Sequence, residues 1–335
     1  MSARDEALEH FLVGAGWRGA ERRKLAGDAS FRRYDRVRMA GGSAVLMDAP
    51  PPQEDVRPFL RVARLLQALR LSAPRILAED VGQGLLLLED FGDRTYTRLL
   101  ADGADEARLY TLAVDLLVEL HRRFEPTLAD GLPPYDEARL LTEASLLVDW
   151  FLPAVRGEPT PSSWRDEYLE TWRQILPFAK SAPDTLVLRD FHVDNLMLLD
   201  GRDGIAAIGL LDFQDAVIGP VTYDLVSLLE DARRDVDRAL AVALIERYLA
   251  AFPALDYDGF ASSYAVLGAQ RNCKIVGIFT RLCVRDGKPQ YLGHIPRVWR
   301  LIEQDLGHAA LAPIAAWLDR HVPPELRRVP QAARP

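Results

Sequence analysis

Only two of the 335 residues are cysteine, and Cys273 and Cys283 lie ten apart with no companion cluster. That excludes a disulfide framework and a cysteine-ligated zinc site, and it makes a reducing cytosol the simplest compartment. Long apolar runs are missing as well. The stretches LLLLEDF (85–91) and IGLLDF (208–213) are short and end in acids, which suits buried strands. Nothing reaches the roughly 18 uninterrupted apolar residues that a membrane span needs. The opening MSARDEALEHFLVGAGW is charged from the start and is no signal peptide. There is no surplus of positive charge: the formal net charge is −8, which argues against a nucleic-acid partner. Internal repeats and low-complexity linkers are absent too. What remains is a cytoplasmic globular chain, 49% hydrophobic, that can bury a sizeable core without cross-links, membrane or obligate protein partner.

What is present changes character near residue 90. Residues 1–20 have the pattern of an amphipathic helix ending near Gly14–Gly19. Two strand-like pieces follow, Phe31–Met39 and Ser43–Asp48, around the turn Ala40-Gly41-Gly42. Helical spacing runs from Glu54 to Leu71, and strands are expected at Arg75–Asp80 and Gly84–Glu89. Beyond Phe91-Gly92 the pattern is helical at 104–124, 136–152 and 163–180. Three short apolar pieces interrupt it: Thr185–Arg189, Leu196–Leu199 and Ile205–Asp212. From Asp224 to Leu318 helices dominate. The expectation is an α+β fold of two lobes, a β-rich N-lobe over residues 1–91 and a larger, mainly helical C-lobe over 92–335.

The chemistry concentrates in Leu188-Arg189-Asp190-Phe191-His192-Val193-Asp194-Asn195 and in Leu211-Asp212-Phe213-Gln214-Asp215. Phosphoryl transfer asks little covalent chemistry of a protein. It needs an acceptor for the substrate hydroxyl proton and hard oxygen ligands for a Mg²⁺ ion bridging phosphates. Mg²⁺ takes one or two carboxylates besides phosphate and water. An Asp, an Asn five residues later and an Asp ending an apolar strand supply such a set. Either block alone reads equally as solvated turn chemistry; both in order, each flanked by strand-like residues, point to a site.

These residues resemble the catalytic core of the protein-kinase-like superfamily, in its aminoglycoside phosphotransferase and choline-kinase branch. The resemblance implies that Asp190 is the catalytic base and that Asn195 and Asp212 bind Mg²⁺, with ATP as phosphoryl donor. Gln214 departs from it, standing where the Asp-Phe-Gly motif has glycine, and His192 is typical of small-molecule kinases. Asp224 reads as a helix cap or an anchor for the catalytic loop. Gly27-Asp28-Ala29-Ser30-Phe31-Arg32 would then be the phosphate-covering loop, with Ser30, Phe31 and Arg32 toward the nucleotide; read without the resemblance it is a hairpin turn. Glu89 and Phe91 fall where backbone groups of the hinge meet adenine. The family's third-strand lysine is missing, and Met47 stands in its place. Arg32 or Arg33 is the available substitute, and Glu54 would lack its usual lysine partner.

Three longer stretches narrow the resemblance: Val45–Pro51, Leu211–Leu229 and Gln270–Phe279. Together they look like one bacterial subgroup, the anomeric N-acetylmuramate and N-acetylglucosamine kinases of peptidoglycan recycling. The resemblance runs from about residue 8 to 320. It implies ATP-dependent phosphorylation of an amino sugar's anomeric hydroxyl. The residues themselves are compatible with a sugar, since a hemiacetal hydroxyl needs a carboxylate beside it. Asp194, Gln214 and Asp215 are candidate acceptor contacts, with loop capping as the other reading of the two acids. On the helix around 262–284, Lys274 could meet a lactyl carboxylate or lie on a solvated face. Arg271 could contact acceptor or be buried among partners. A kinase for another small metabolite or an aminoglycoside, or a nucleotide-binding module without activity, are the competing readings. A protein kinase is the least expected reading, since no Ala-Pro-Glu segment follows Asp212.

Overall fold

In the structure, a computed structural model describing residues 3–25 and 31–331, the first ninety residues are arranged as helix α1 (Ala3–Gly14), strands β1 (Glu21–Lys24), β2 (Arg33–Met39) and β3 (Gly42–Asp48), helix α2 (Arg57–Ala68) and strands β4 (Ile76–Asp80) and β5 (Leu85–Glu89). Helices α3 (Tyr96–Ala101), α4 (Glu106–Arg123), α5 (Glu137–Ala144), α6 (Leu152–Arg156) and α7 (Ser162–Ala179) follow. Four short strands come next, β6 (Asp184–Val187), β7 (Leu196–Leu198), β8 (Ile208–Leu210) and β9 (Val217–Pro220). The chain continues as α8 (Thr222–Leu229), α9 (Arg238–Ala251), α10 (Tyr257–Val284), α11 (Ile295–Asp305) and α12 (Ala312–His321).

Two compact units result, one built from the chain up to Leu116 with Val193–Ala216, the other from Leu117–His192 with the chain from Val217 onward. In the first, an antiparallel sheet of order β1-β2-β3-β5-β4 forms because its inner strands carry apolar residues on the face that α1 covers. Leu8 and Leu12 of α1 pack there on Val37, Ala44, Leu46, Leu85 and Leu87. Arg4 of α1 pairs with the buried Asp48 that ends β3. The same unit contains the β7–β8 ladder, in which Leu196 faces Leu210.

Strand β1 escaped the sequence reading. Its four residues, Glu-Arg-Arg-Lys, are all exposed, so an edge strand pairs through its backbone without any buried face to reveal it. Strand β9 was also passed over; it pairs with β6 and its Gly-Pro ending resembles a turn.

The second unit is organised around α10, 28 residues long and buried on nearly every side, so even Gln270, Arg271 and Asn272 lie inside. Phe151, Tyr168, Trp172, Trp299 and Trp317 supply the bulk of the surrounding core. Close approach at Gly277 requires glycine, because a β-carbon there would lie 2.3 Å from the carbonyl carbon and oxygen of Leu146. Gly277→Ala is therefore expected to destabilise the protein by about 2–3 kcal/mol, the cost of overpacking against backbone. Urea denaturation checks this; a loss below about 0.5 kcal/mol would mean that the helices separate without penalty.

Candidate active site

The sheet-bearing unit contains a cavity of about 450 Å³ whose apolar lining includes Val45, Phe59, Leu88 and Met197. The segment Glu89–Asp93, leaving the end of β5, forms its polar edge, so the expected hinge residues Glu89 and Phe91 both line it. The Glu89 side chain is engaged by Arg75, at 3.2 Å, and by Arg202. The Phe91 ring lies over Gly209, where a β-carbon would come within 2.7 Å of it.

Asn195 and Asp212 line the same cavity, and the β7–β8 ladder is the reason. They flank the pair Leu196–Leu210, and Leu211 N–H donates to the Asn195 carbonyl at 3.0 Å. Asp212 has a φ of +56°, a left-handed backbone that costs about 1 kcal/mol or more for a residue with a β-carbon. Its neighbours hold it there: Phe213 stacks on Phe59 at 4.9 Å, and Gln214 Nε2 donates to Asp212 Oδ1 at 2.8 Å. Gln214, a candidate for acceptor binding, is thus bonded to the candidate metal ligand. Asp194 accepts a hydrogen bond from Thr97.

Met47 is buried in β3, opposite Leu86. Arg32 lies 3.3 Å from Glu54, which also accepts the Phe31 N–H at 3.1 Å. Burial works against the charge of Arg32, but Tyr34, Asp212, Glu54 and Asp215 outweigh it and hold its pKa above the ordinary arginine value. Arg32, Glu54, Asp212 and Asp215 therefore share one electrostatic neighbourhood. The Phe31 side chain is exposed, and Ser30 lies outside the described residues.

Arg36 is a site residue that sequence reading missed. On β2, only 7% exposed, it donates to Asp93 at 2.8 Å, to Asp90 at 3.0 Å and to the Gly92 carbonyl at 2.8 Å. It staples the strand to the cavity's polar edge. The available signal was three acids within five residues, Glu89, Asp90 and Asp93, with no base among them.

In the helical unit, Asp190 sits on a tight bend after β6, where Asp190 N–H donates to Leu188 O and His192 N–H to Asp190 O. The loop is anchored by Asp224, in the first turn of α8, which accepts Leu188 N–H at 2.6 Å and Arg189 N–H at 2.9 Å. Burial pushes Asp224 up to about 7, against the pull of these two N–H groups and of Arg271. Arg189 has a φ of +69°, again left-handed. Its carbonyl accepts from Ser227 Oγ at 3.2 Å, and Ser227 Oγ in turn accepts from Arg271 at 2.8 Å. Arg271 is buried in this role.

The Arg189 side chain reaches Glu143 of α5, which also meets Lys274 at 3.1 Å and accepts from the Tyr135 hydroxyl. Lys274 additionally donates to the Tyr223 hydroxyl at 3.3 Å. Burial would raise the Glu143 pKa, but Lys274 and Arg189 outweigh it and hold the carboxyl below its usual range. Two cations on one carboxylate leave a positive excess beside the Asp190 loop. His121, by contrast, is a packed residue: it hydrogen-bonds Tyr248 at 2.7 Å, and burial lowers its pKa to about 3.

The sequence profile of the phosphotransferase enzyme family matches residues 21–259. The chain is 39% identical to the N-acetylmuramate/N-acetylglucosamine kinase of Caulobacter vibrioides, over 98% of this chain and 99% of that protein. It is 40% identical to the protein of the same description from Pseudomonas aeruginosa, over 89% of this chain and 88% of that one. Among solved structures, an aminoglycoside phosphotransferase in ternary complex with streptomycin and ATP superposes with a TM-score of 0.59, at 17% identity, over 92% of this chain and 98% of that one. A choline kinase from Streptococcus pneumoniae gives 0.57 at 11% identity, over 96% and 98%. The expected α+β, protein-kinase-like fold is the fold found.

Glu143 balances two buried cations, so Glu143→Gln is expected to cost about 3 kcal/mol of stability, the scale for breaking a buried ion pair. Chemical denaturation of the variant measures it. A loss under about 1 kcal/mol would show that water screens Arg189 and Lys274.

Proposed function

The chain belongs to the phosphotransferase enzyme family, and from that premise we propose that it transfers the γ-phosphoryl group of ATP to the anomeric hydroxyl of N-acetylmuramate or N-acetylglucosamine, a cytoplasmic step in the reuse of cell-wall amino sugars. The observation carrying most weight is the anchored sequence Arg189-Asp190 with Asn195 five residues on, together with the pairing of Asn195 and Asp212 beside a cavity of nucleotide size. Relatives matched over 98% and 89% of the chain, both N-acetylmuramate/N-acetylglucosamine kinases, support this acceptor.

In this reading Asp190 accepts the proton of the anomeric hydroxyl as its oxygen forms a bond to the γ-phosphorus. The bond from that phosphorus to the bridging oxygen breaks, and ADP carries the electron pair away. The apolar lining around Val45, Leu88 and Met197 receives the adenine, with the backbone from Glu89 to Phe91 at its polar edge. Asn195 and Asp212 fit Mg²⁺, since they bring an amide oxygen and a carboxylate, hard donors in the small number this ion takes beside phosphates. When bound, Mg²⁺ neutralises charge on the transferring phosphates. Arg32, oriented by Glu54, takes the role of the family's lysine toward those phosphates.

The acceptor side favours a neutral or anionic sugar. A polycationic aminoglycoside calls for a wall of acids, whereas the cluster beside Asp190 carries Arg189 and Lys274 against Glu143. Lys274 is proposed to meet a carboxylate of the acceptor, while Arg271 acts through the loop anchor. Asp194, Gln214 and Asp215 remain proposed as polar contacts, Gln214 chiefly through Asp212. No helix among the described residues is long and apolar enough to cross a membrane.

Incubation with ATP, Mg²⁺ and either sugar, followed by phosphorus NMR, should yield an acid-labile anomeric phosphate. Asp190→Asn should lower kcat by roughly 10²–10⁴-fold while nucleotide affinity stays within about threefold. No product from either sugar would sink the proposal, and equal loss of binding and turnover would make Asp190 structural. Arg32→Ala should raise the ATP KM by roughly 10–100-fold, the worth of a charge-assisted hydrogen bond. An unchanged KM would remove Arg32 from the nucleotide site.

A further inference from the structure

Within the helical unit, side chains of α9, α10 and α11 and of the segment between α8 and α9 surround a second cavity of about 390 Å³. Its lining is unusual for a chain of net charge −8: Arg234, Arg238, Arg297 and Arg300 face it against three acids, Glu230, Asp231 and Asp235. Arg297 and Arg300, one turn apart on α11, converge on the single exposed carboxylate of Asp235, at 2.9 and 3.1 Å. Both guanidinium forks are thus already aimed at one oxyanion.

Glu230 also lines the cavity and is 3% exposed. Its Oε2 accepts from Asn272 at 2.8 Å, while no group among the described residues hydrogen-bonds Oε1. Asp305 stands beside it, sharing the Asn272 amide at 3.3 Å and filling the space over Gly268, where a β-carbon would lie 2.7 Å from Oδ2. Burial, reinforced for Asp305 by Glu230, pushes both carboxyls up. Both shifts favour a proton within the pair, held more strongly on Asp305 than on Glu230.

We propose that this cavity is a second ligand site, one that takes a phosphate monoester. Four arginines against Glu230, Asp231 and Asp235 leave a positive excess even with all three acids ionised, which draws a phosphate monoester dianion more strongly than a monoanion. Arginine forks suit phosphate oxygens bidentately. Val242, Ile245 and Leu301 give the organic part of the ligand an apolar wall. The site shares no residue with the nucleotide cavity, and it stands whether or not the acceptor is an amino sugar.

The test is calorimetric titration of the full-length protein with methyl phosphate and, in parallel, with the monoanion methyl sulfate. Methyl phosphate should bind saturably, and methyl sulfate at least tenfold more weakly. The combined variant Arg238→Gln/Arg300→Gln, at two exposed positions, should raise the Kd for methyl phosphate at least tenfold, and Val242→Glu on the apolar wall should do the same independently. Arg32→Ala should leave that Kd within about threefold. Absence of saturable binding would overturn the proposal, as would a loss that follows Arg32→Ala instead. Equal binding of the two probes would overturn the assignment to phosphate.

Discussion

Burying the Asp224 carboxylate in the first turn of α8 would cost several kcal/mol if its charge met no donors, and the donors it meets are Leu188 and Arg189 N–H. Those two amides belong to the residues leading into Asp190, so relief of one buried charge fixes the path of the loop. With its N–H held by Asp224 and its carbonyl by Ser227, Arg189 is kept in a left-handed conformation that few residues other than glycine adopt willingly. Its side chain meets Glu143. The strain is sustained because three separate groups of the helical unit, Asp224, Ser227 and Glu143, each hold a different part of the same residue.

How much of this could be read from the sequence depended on whether a feature has a periodic or local signature. The inner strands β2, β3 and β5 and the long helices were legible through alternation, through an apolar run such as Leu85–Leu88, or through helical spacing. Strand β1 has no buried face, and no pattern marks it. Asp190, Asn195 and Asp212 were legible as candidates because hard oxygen donors at fixed spacing between apolar strands form a local motif. Arg36 and Glu143 were not. Each acts on residues more than forty positions away, Arg36 on Asp90 and Asp93, Glu143 on Arg189, and nothing near either residue in the chain hints at the partner. Asp224 stood between two readings, helix cap and loop anchor. Only the contact with Leu188 and Arg189, some 35 residues upstream, separates them.

Met47 and Arg32 put apolar packing and positive charge on two different parts of the chain. A lysine on β3 offers a point charge on a flexible stem, whereas methionine there adds to the packing opposite Leu86. In the proposed reading the charge comes from Arg32, just before β2, which pairs with Glu54 at 3.3 Å. A guanidinium has donors on more than one edge, so pairing with Glu54 along one edge leaves the planar group oriented and others directed elsewhere. Asp212 and Asp215 lie within its electrostatic reach, and a nucleotide carrying phosphates and a divalent ion would add charge of both signs to that neighbourhood. An ammonium shifts its pKa readily when buried; a guanidinium does not, and Arg32 keeps its charge despite burial because four groups around it favour the cation. On the proposed reading, what has to persist at this position is a permanent positive charge oriented by an acid, and the strand that supplies it can change.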